Sequence, residues 1–123
     1  MKEIITIIRP KKVNATKDAL AELGLPSMTA IPVLGRGKQK GIASEVNIEY
    51  RPGVFEQSKS SGMKYIPKRY LSIVVKDELV DKIIQTITDI NKTGQIGDGK
   101  IFVCPVDDVL RIRTDETGEA AVD

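Results

Sequence analysis

The apolar positions at the start of the chain form a short run and then recur at helical spacing. The run Lys2–Ile8 ends at Arg9 and Pro10 and predicts a strand, because a proline cannot donate to the ladder. The helical spacing that follows predicts a helix between Asn14 and Gly24. Asn14 is a typical N-terminal cap, and Gly24 can adopt the left-handed conformation that ends a helix. The apolar positions of that helix are Ala15, Ala19, Leu20 and Leu23. The first part of the chain therefore predicts a strand followed by a helix.

The same change from strand-like to helical spacing recurs further along the chain, from Met28 onward. Met28–Leu34 is strand-like but contains Pro32, which is tolerated at a sheet edge. Tyr70–Val75 is rich in β-branched residues and predicts a third strand, after which Asp77 is positioned to cap a helix. The apolar positions of this second helix are Leu79, Val80, Ile83, Ile84, Ile87 and Ile90. Lys100–Val106 predicts a fourth strand.

The predicted order of elements is βαββαβ. Two halves of this kind form a four-stranded antiparallel sheet with both helices on one face, which is the α+β, ferredoxin-like arrangement. We predict one domain over residues 1–123, with a C-terminal segment at residues 107–123. Residues 35–67 form a long loop between strands two and three, and their glycine-rich, polar composition predicts a flexible arm, since structureless loops beyond about 15 residues are uncommon.

Composition and charge argue against several classes of function. The chain has no histidine, a net charge of +2 and only 4% aromatic residues. Without histidine, most acid–base dyads and the commonest zinc sites are excluded, so we expect no enzyme. The small charge and the few aromatics argue against nucleic acid as a partner. The single cysteine, Cys104, is expected to be a small apolar residue in a buried strand.

The sequence also predicts where the protein is found. No apolar run approaches the roughly 20 residues that span a bilayer, so we expect no direct membrane insertion. The first predicted strand begins directly after Met1, which leaves no room for a signal peptide. We therefore expect a soluble, cytoplasmic protein.

Three segments have the composition of phosphate-binding sites. Gly35–Gly41 combines two lysines with glycines whose backbone N–H groups can approach an anion. Gly97–Lys100 pairs the same backbone freedom with an ammonium group. Arg111 and Arg113 alternate with apolar residues, so in an extended segment they would share one face and clamp an anion. Each segment alone is equally consistent with an ordinary turn or with solvated charges.

Five stretches of the chain resemble one protein family. Thr93–Val103 and Arg111–Thr114 closely resemble the C-terminal signature of the PII nitrogen-regulatory signalling proteins, the GlnB-like family. The resemblance continues in Ile8–Pro10, Met28–Thr29 and Gly35–Gly41, and it covers nearly the whole chain outside the middle of the long loop. On these motifs the chain is identified as a member of that family.

The resemblance implies a trimer whose three clefts between subunits bind ATP or ADP, and a projecting T-loop, residues 35–67, that contacts target proteins. It implies that Met28 and Thr29 contact the adenine and that Gly97–Lys100 approach from the facing subunit. The residues that it assigns to ATP or ADP are Met28, Thr29, Gly35, Gly37, Lys38, Gln39, Val74, Gly97, Asp98, Gly99, Lys100, Arg111 and Arg113. Those that it assigns to 2-oxoglutarate are Gln39, Lys40, Gly41 and Lys68, and Gln39 would also help to hold Mg2+.

These assignments imply a signalling mechanism without catalysis. Gln39 and Lys68 lie at opposite ends of the T-loop, so a ligand that engages both would restrict the conformations of the loop. ATP, Mg2+ and 2-oxoglutarate together would select one loop state and ADP another. A partner that prefers either state would then be linked to both ligands.

Two features depart from the common family pattern. Ser72 occupies the position of a strand glutamate near the nucleotide-site lysine, which puts the orientation of Lys100 in doubt. The T-loop is longer than usual, and Tyr50–Gly53 only loosely resembles the tyrosine-bearing tip that is uridylylated in other members. An enlarged loop resembles the archaeal-type NifI subclass encoded with nitrogenase, whose paired subunits inhibit that enzyme until 2-oxoglutarate rises.

Nitrogenase is therefore the expected target, and the expected assembly is a homotrimer or a mixed oligomer with a paralogous PII subunit. The alternative is a PII regulator of glutamine synthetase or of an ammonium transporter. Two unrelated classes fit less well. An RNA-recognition domain shares the βαββαβ order but needs stacking aromatics, of which strands one and three offer only Tyr70. A ferredoxin-like nucleoside diphosphate kinase would need a catalytic histidine, which the chain lacks.

Overall fold

A computed structural model describes residues 1–25, 27–37 and 65–122. In these ranges the strands and helices follow the predicted order βαββαβ. Their bounds are β1 (Lys2–Ile8), α1 (Val13–Glu22), β2 (Thr29–Gly35), β3 (Ile66–Val75), α2 (Val80–Asn91) and β4 (Lys100–Pro105). Short 3-10 turns occupy Pro10–Lys12, Asp77–Leu79 and Gly118–Ala121. The flexible arm was predicted over residues 35–67, of which residues 38–64 lie outside the described residues. Its predicted bounds are corrected at both ends, since Gly35 belongs to β2 and Ile66 and Pro67 to β3.

The four strands form one antiparallel sheet in the order β2-β3-β1-β4. Strand β2 is at an edge, which confirms the position predicted from Pro32. Strand β3 begins at Ile66, earlier than the predicted Tyr70, because its first four residues, Ile66–Arg69, pair with β2 up to Gly35 opposite Ile66. Strand β4 is the other edge, and Cys104 on it is only half-buried rather than buried.

One face of the sheet is covered by both helices. Ile4 of β1 pairs with Ile73 of β3, and both lie in the core together with residues of the two helices. The buried members of this core are Ile4, Leu20, Ile73, Val75, Ile83 and Ile87. Since successive side chains of a strand point to opposite faces, Lys68, Tyr70 and Ser72 lie on the other side, which we call the open face.

The helix ends differ in part from the prediction. Gly24 has a positive φ of 84°, and its N–H donates to the Ala21 carbonyl at 2.9 Å, so the predicted left-handed stop is confirmed. The predicted caps are wrong: Asn14 lies inside α1 and Asp77 lies in the turn before α2. Both helices begin after a 3-10 turn whose carbonyl accepts a backbone N–H, so the chain enters each helix without a side-chain cap.

The described ranges contain no helix that is long and apolar enough to cross a bilayer.

Candidate functional site

A cavity of about 260 Å3 lies at the end of the sheet where β2 ends and β4 begins. It is lined by Ile7, Gly35, Arg36, Gly37, Ile66, Lys68, Ile96, Gly97, Gly99 and Lys100. Gly35 pairs with Ile66 at one edge of the sheet, and Lys100 pairs with Ile7 near the other. The register of the sheet therefore brings two of the predicted phosphate-binding segments to one site.

This arrangement corrects one detail of the predicted site. Gly97–Lys100 were expected to approach Gly35 and Gly37 from a facing subunit. In the structure, both segments line the same cavity in one chain, because β4 begins at the end of the sheet where β2 finishes. The expectation of a facing subunit for these particular residues is wrong.

Gly99 occupies a position that no other residue fits. Its φ is 107°, and an added Cβ would lie 1.9 Å from the carbonyl oxygen of Ile7. The loop between α2 and β4 thus passes directly against the backbone of β1. The glycine is required both by its backbone conformation and by this close approach.

Asp98 is the centre of a hydrogen-bond network that holds this loop. Its Oδ1 accepts from Arg9 Nη1 at 2.7 Å and from the hydroxyl of Thr93, and its Oδ2 accepts from the backbone N–H groups of Thr93 and Gly94 at 2.8 and 2.9 Å. Burial acts to raise the pKa of Asp98, but the hydrogen bonds from Thr93, Arg9 and the two backbone N–H groups outweigh it and hold that pKa well below its usual range. The carboxylate is therefore ionised and engaged within the protein.

Lys68 reaches the same loop from β3. The residue is only 8% exposed, and its Nζ donates to the carbonyl of Gly97 at 2.7 Å. Its side chain also passes Gly35, where an added Cβ would lie 3.4 Å from Lys68 Cγ. A buried ammonium group thus lies between the end of β2 and the loop that precedes β4.

Two arginines belong to this region although they were not assigned as site residues from the sequence. Arg36 lines the cavity, and its guanidinium carbon lies 6.0 Å from the centre of the Tyr65 ring. Arg9 is buried and binds Asp98. Both were part of quoted motifs, Gly35–Gly41 and Ile8–Pro10, so the signal was present, but the pairing of Arg9 with Asp98 depends on a contact between distant segments.

Three predicted nucleotide ligands lie at the opposite end of the sheet. Thr29 pairs with Ser72, so Met28 and Thr29 precede Gly35 by the length of β2, which is about 20 Å. Val74 lies beyond Ser72 on the same open face and pairs with Glu3. One chain therefore does not bring these three residues into the cavity.

The predicted clamp of Arg111 and Arg113 has a different geometry from that expected. The segment is not extended: the N–H groups of Thr114 and Asp115 both donate to the carbonyl of Arg111, which forms a turn. Arg111 forms an ion pair with Glu116 at 2.9 Å, and Arg113 is exposed. Neither arginine lines the cavity, and β4 leads to them from the end of the sheet opposite to it.

The remaining predicted site residues, Lys38, Gln39, Lys40 and Gly41, lie outside the described residues, so the predicted Mg2+ ligand Gln39 does as well. Ser72, the departure from the family pattern, donates its hydroxyl hydrogen to Glu3 Oε2 at 2.6 Å. A neighbouring strand therefore supplies the acidic partner of Ser72 on the open face.

Comparisons with known proteins identify the family. Residues 1–116 match the family model described as nitrogen regulatory protein P-II. The nitrogen fixation nifHD1 region GlnB-like protein 2 of Methanosarcina barkeri is 57% identical over 122 residues, which cover 99% of both chains. Nitrogen regulatory protein P-II 1 of Escherichia coli is 43% identical over 99% of this chain and 100% of its own.

A solved structure supports the same family. The crystal structure of Arabidopsis thaliana PII bound to citrate matches with a TM-score of 0.73 at 34% identity, covering 98% of this chain and 88% of that chain. The predicted fold, family and regulatory role are thereby confirmed. PII proteins are regulatory signalling proteins rather than enzymes, and the similar proteins from nifHD regions support a role in regulating nitrogen fixation. The chain belongs to the PII family of nitrogen regulatory proteins.

Proposed function

We propose that this protein regulates nitrogenase by sensing ATP or ADP together with 2-oxoglutarate. The observation that carries the proposal is the cavity in which buried Lys68 meets the glycine loop Gly97–Lys100. Both the ammonium group and the glycine backbone are suited to oxygen anions. The site is therefore suited to the two kinds of oxygen anion that the proposal requires, a phosphate chain and a carboxylate.

The phosphates of the nucleotide are assigned to the glycine-rich walls of the cavity. Gly35, Gly37 and Gly99 have no side chains to block the approach of the backbone, and Lys100 adds a positive charge at the rim. Each hydrogen bond between a charged donor and a phosphate contributes about 1.5 to 3 kcal/mol. Gln39 would help to hold Mg2+, which would supply neutralising charge when bound.

The effector carboxylate is assigned to Lys68. The buried ammonium group of Lys68 donates to the Gly97 carbonyl and carries the positive charge that a carboxylate requires. The Arabidopsis relative was crystallised with citrate, which, like 2-oxoglutarate, carries carboxylate groups. Lys68 follows the segment 38–64 and Gln39 lies at its start, so an effector that bridges them would fix both ends of the T-loop.

We propose that the nucleotide is shared between subunits of a trimer. Met28, Thr29 and Val74 are a strand length from the cavity, so a second copy would have to supply them to the same nucleotide. Apolar side chains on the open face support this packing: Ile31 is 45% and Phe102 is 46% exposed in the single chain. The trimer is homomeric or mixed with a paralogous PII subunit, and we place it in the cytoplasm with its nitrogenase target.

Titration calorimetry tests this function. We expect Mg-ATP to bind first and 2-oxoglutarate to bind only to the Mg-ATP-loaded protein. Lys68→Met should weaken 2-oxoglutarate at least tenfold while the affinity for Mg-ATP changes less than threefold, since a lost charged hydrogen bond of about 1.5 kcal/mol is a tenfold effect. Lys82→Met, on the exposed surface of α2, is the matched control and should change neither affinity. Equal losses of affinity for both ligands in Lys68→Met would contradict the assignment of Lys68 to the effector carboxylate.

A further inference from the structure

The loop between α2 and β4 is held at three points by residues from other strands and turns. Arg9 Nη1 donates to Asp98, and Arg9 Nη2 donates to the carbonyl of Ile96 at 3.1 Å. Lys68 donates to the carbonyl of Gly97. Gly97 therefore lies between two residues that bind Arg9, and its carbonyl accepts a hydrogen bond from the ammonium group of Lys68.

Arg9 has the properties of a fixed support. The side chain is 5% exposed, and its two terminal nitrogens are directed at two different acceptors of the loop. A planar guanidinium makes such paired contacts in a rigid geometry, whereas an ammonium group acts as a point charge on a flexible stem. Lysine at this position would keep the charge but would not hold both Asp98 and Ile96 in the same way.

Asp98 belongs to this support rather than to the set of phosphate ligands. Each of its carboxylate oxygens accepts two hydrogen bonds, from Arg9 and Thr93 on one side and from the backbone of Thr93 and Gly94 on the other. A carboxylate has about four acceptor positions, so these bonds use its capacity. A negative side chain would also repel a phosphate. These bonds favour a positioning role for Asp98 over the direct contact with ATP that the family resemblance implies.

We propose that Arg9 is a positioning residue for the dicarboxylate effector. By binding Ile96 and Asp98, it fixes the position of the Gly97 carbonyl. Because Lys68 donates a hydrogen bond to that carbonyl, Arg9 thereby sets the affinity for the effector. The proposal rests on the proposed function, because it deepens the effector site described there. Arg9 touches neither ligand in this role. It acts by fixing the position of the Lys68 ammonium group through the Gly97 carbonyl.

The first test is Arg9→Lys, with titration of 2-oxoglutarate into the Mg-ATP-loaded protein. We expect the affinity for 2-oxoglutarate to fall about tenfold, by analogy with the effect of losing a hydrogen bond that supports a metal ligand, and the affinity for Mg-ATP to fall less. Arg69→Lys is the matched control, because Arg69 is next to Lys68 but points to the opposite face of the sheet. Unchanged affinity for 2-oxoglutarate in folded Arg9→Lys would overturn the proposal.

The second test separates positioning from a general structural effect. In a Lys68→Met background, Arg9→Lys should cause little further loss of 2-oxoglutarate affinity, because the group through which Arg9 acts is absent. A purely structural role predicts the same fold loss in both backgrounds, and that result would overturn the proposal.

A third measurement does not depend on ligand binding. Amide hydrogen exchange of the unliganded protein reports on the N–H groups of Thr93 and Gly94, which Asp98 holds. We expect faster exchange at both in Arg9→Lys and no change in Arg69→Lys. If the wild-type protein binds neither ligand, the proposed function fails, and accelerated exchange would still support the positioning of the loop by Arg9. Unchanged exchange would overturn it.

Discussion

Two regions of the molecule use a guanidinium–carboxylate pair to hold a turn, and they differ in burial. In the loop before β4, the side chains of Arg9 and Asp98 are 5% and 23% exposed. In the C-terminal segment, those of Arg111 and Glu116 are 28% and 42% exposed. The first pair is further tied by backbone N–H groups of Thr93 and Gly94, whereas the second lies close to solvent.

This difference in burial separates the roles of the two arginines. Breaking a buried pair by removing one partner leaves an uncompensated charge and costs about 3 to 5 kcal/mol, while an exposed pair contributes about 0 to 1 kcal/mol. Arg9 is therefore committed to the fold. Arg111 can exchange Glu116 for a phosphate at little cost, which suits a residue proposed to bind nucleotide.

The largest expected effect comes from filling the space between the first loop and β1. In Gly99→Ala, the new Cβ would overlap the Ile7 carbonyl oxygen, and the residue would also keep a positive φ. We expect a loss of about 3 kcal/mol or more in the free energy of unfolding, measured by urea denaturation. Gly94→Ala is the control: its φ is 85° but nothing lies within 4 Å of its Cβ, so about 1 kcal/mol is expected. Equal losses in the two variants would contradict the close approach.

The next effect concerns the charge of Asp98. Asp98→Asn removes the negative charge with which buried Arg9 forms an ion pair and should lower the free energy of unfolding at pH 7 by about 3 kcal/mol. Asp89→Asn, on the exposed surface of α2, is the control and should cost less than about 0.5 kcal/mol.

The same variant should change the dependence of stability on pH. The pKa of Asp98 is lowered in the folded protein, so folding favours the ionised carboxylate. Its contribution is present above the unfolded pKa of about 3.9 and is lost as the pH falls through the folded pKa. Wild-type protein should therefore lose stability below about pH 4 more steeply than Asp98→Asn. Parallel curves for the two proteins would show that this carboxylate does not titrate with folding.

The smallest effect is expected in the C-terminal segment. Glu116→Gln removes the charge that Arg111 pairs with, and the free energy of unfolding should change by less than about 1 kcal/mol. Without that competitor, the affinity for Mg-ATP should rise about two- to threefold, as measured by calorimetry. A fall in affinity would mean that Glu116 supports the nucleotide site instead of competing with it.

Much of the fold could be predicted from local patterns. Three features were predicted correctly: the βαββαβ order, the edge position of Pro32 and the left-handed Gly24. They depend on the spacing of apolar residues and on the backbone properties of proline and glycine, which can be read from the sequence. The early start of β3 and the 3-10 turns before the helices could not be predicted in this way. They depend on pairing with β2 and on the packing of each helix, which override local propensity.

The candidate site was predicted only in part for a similar reason. The glycines of both loops were found from the sequence, since they mark backbone freedom. The contact of Arg9 with Asp98 and the turn at Arg111 join residues that no local pattern connects. The reinterpretation of Asp98 as a support required the positions of its hydrogen-bond donors, which only the fold supplies.

The pairing of Gly35 with Ile66 has a consequence for how this family can vary. The sheet itself fixes the positions of Gly35 and Ile66, the two strand ends between which residues 36–65 lie in the sequence. For a flexible connection between fixed ends, doubling its length raises the closure free energy by only about 0.6 kcal/mol. Evolution can therefore lengthen or shorten this segment to suit a new target while the sensing domain beneath it stays unchanged.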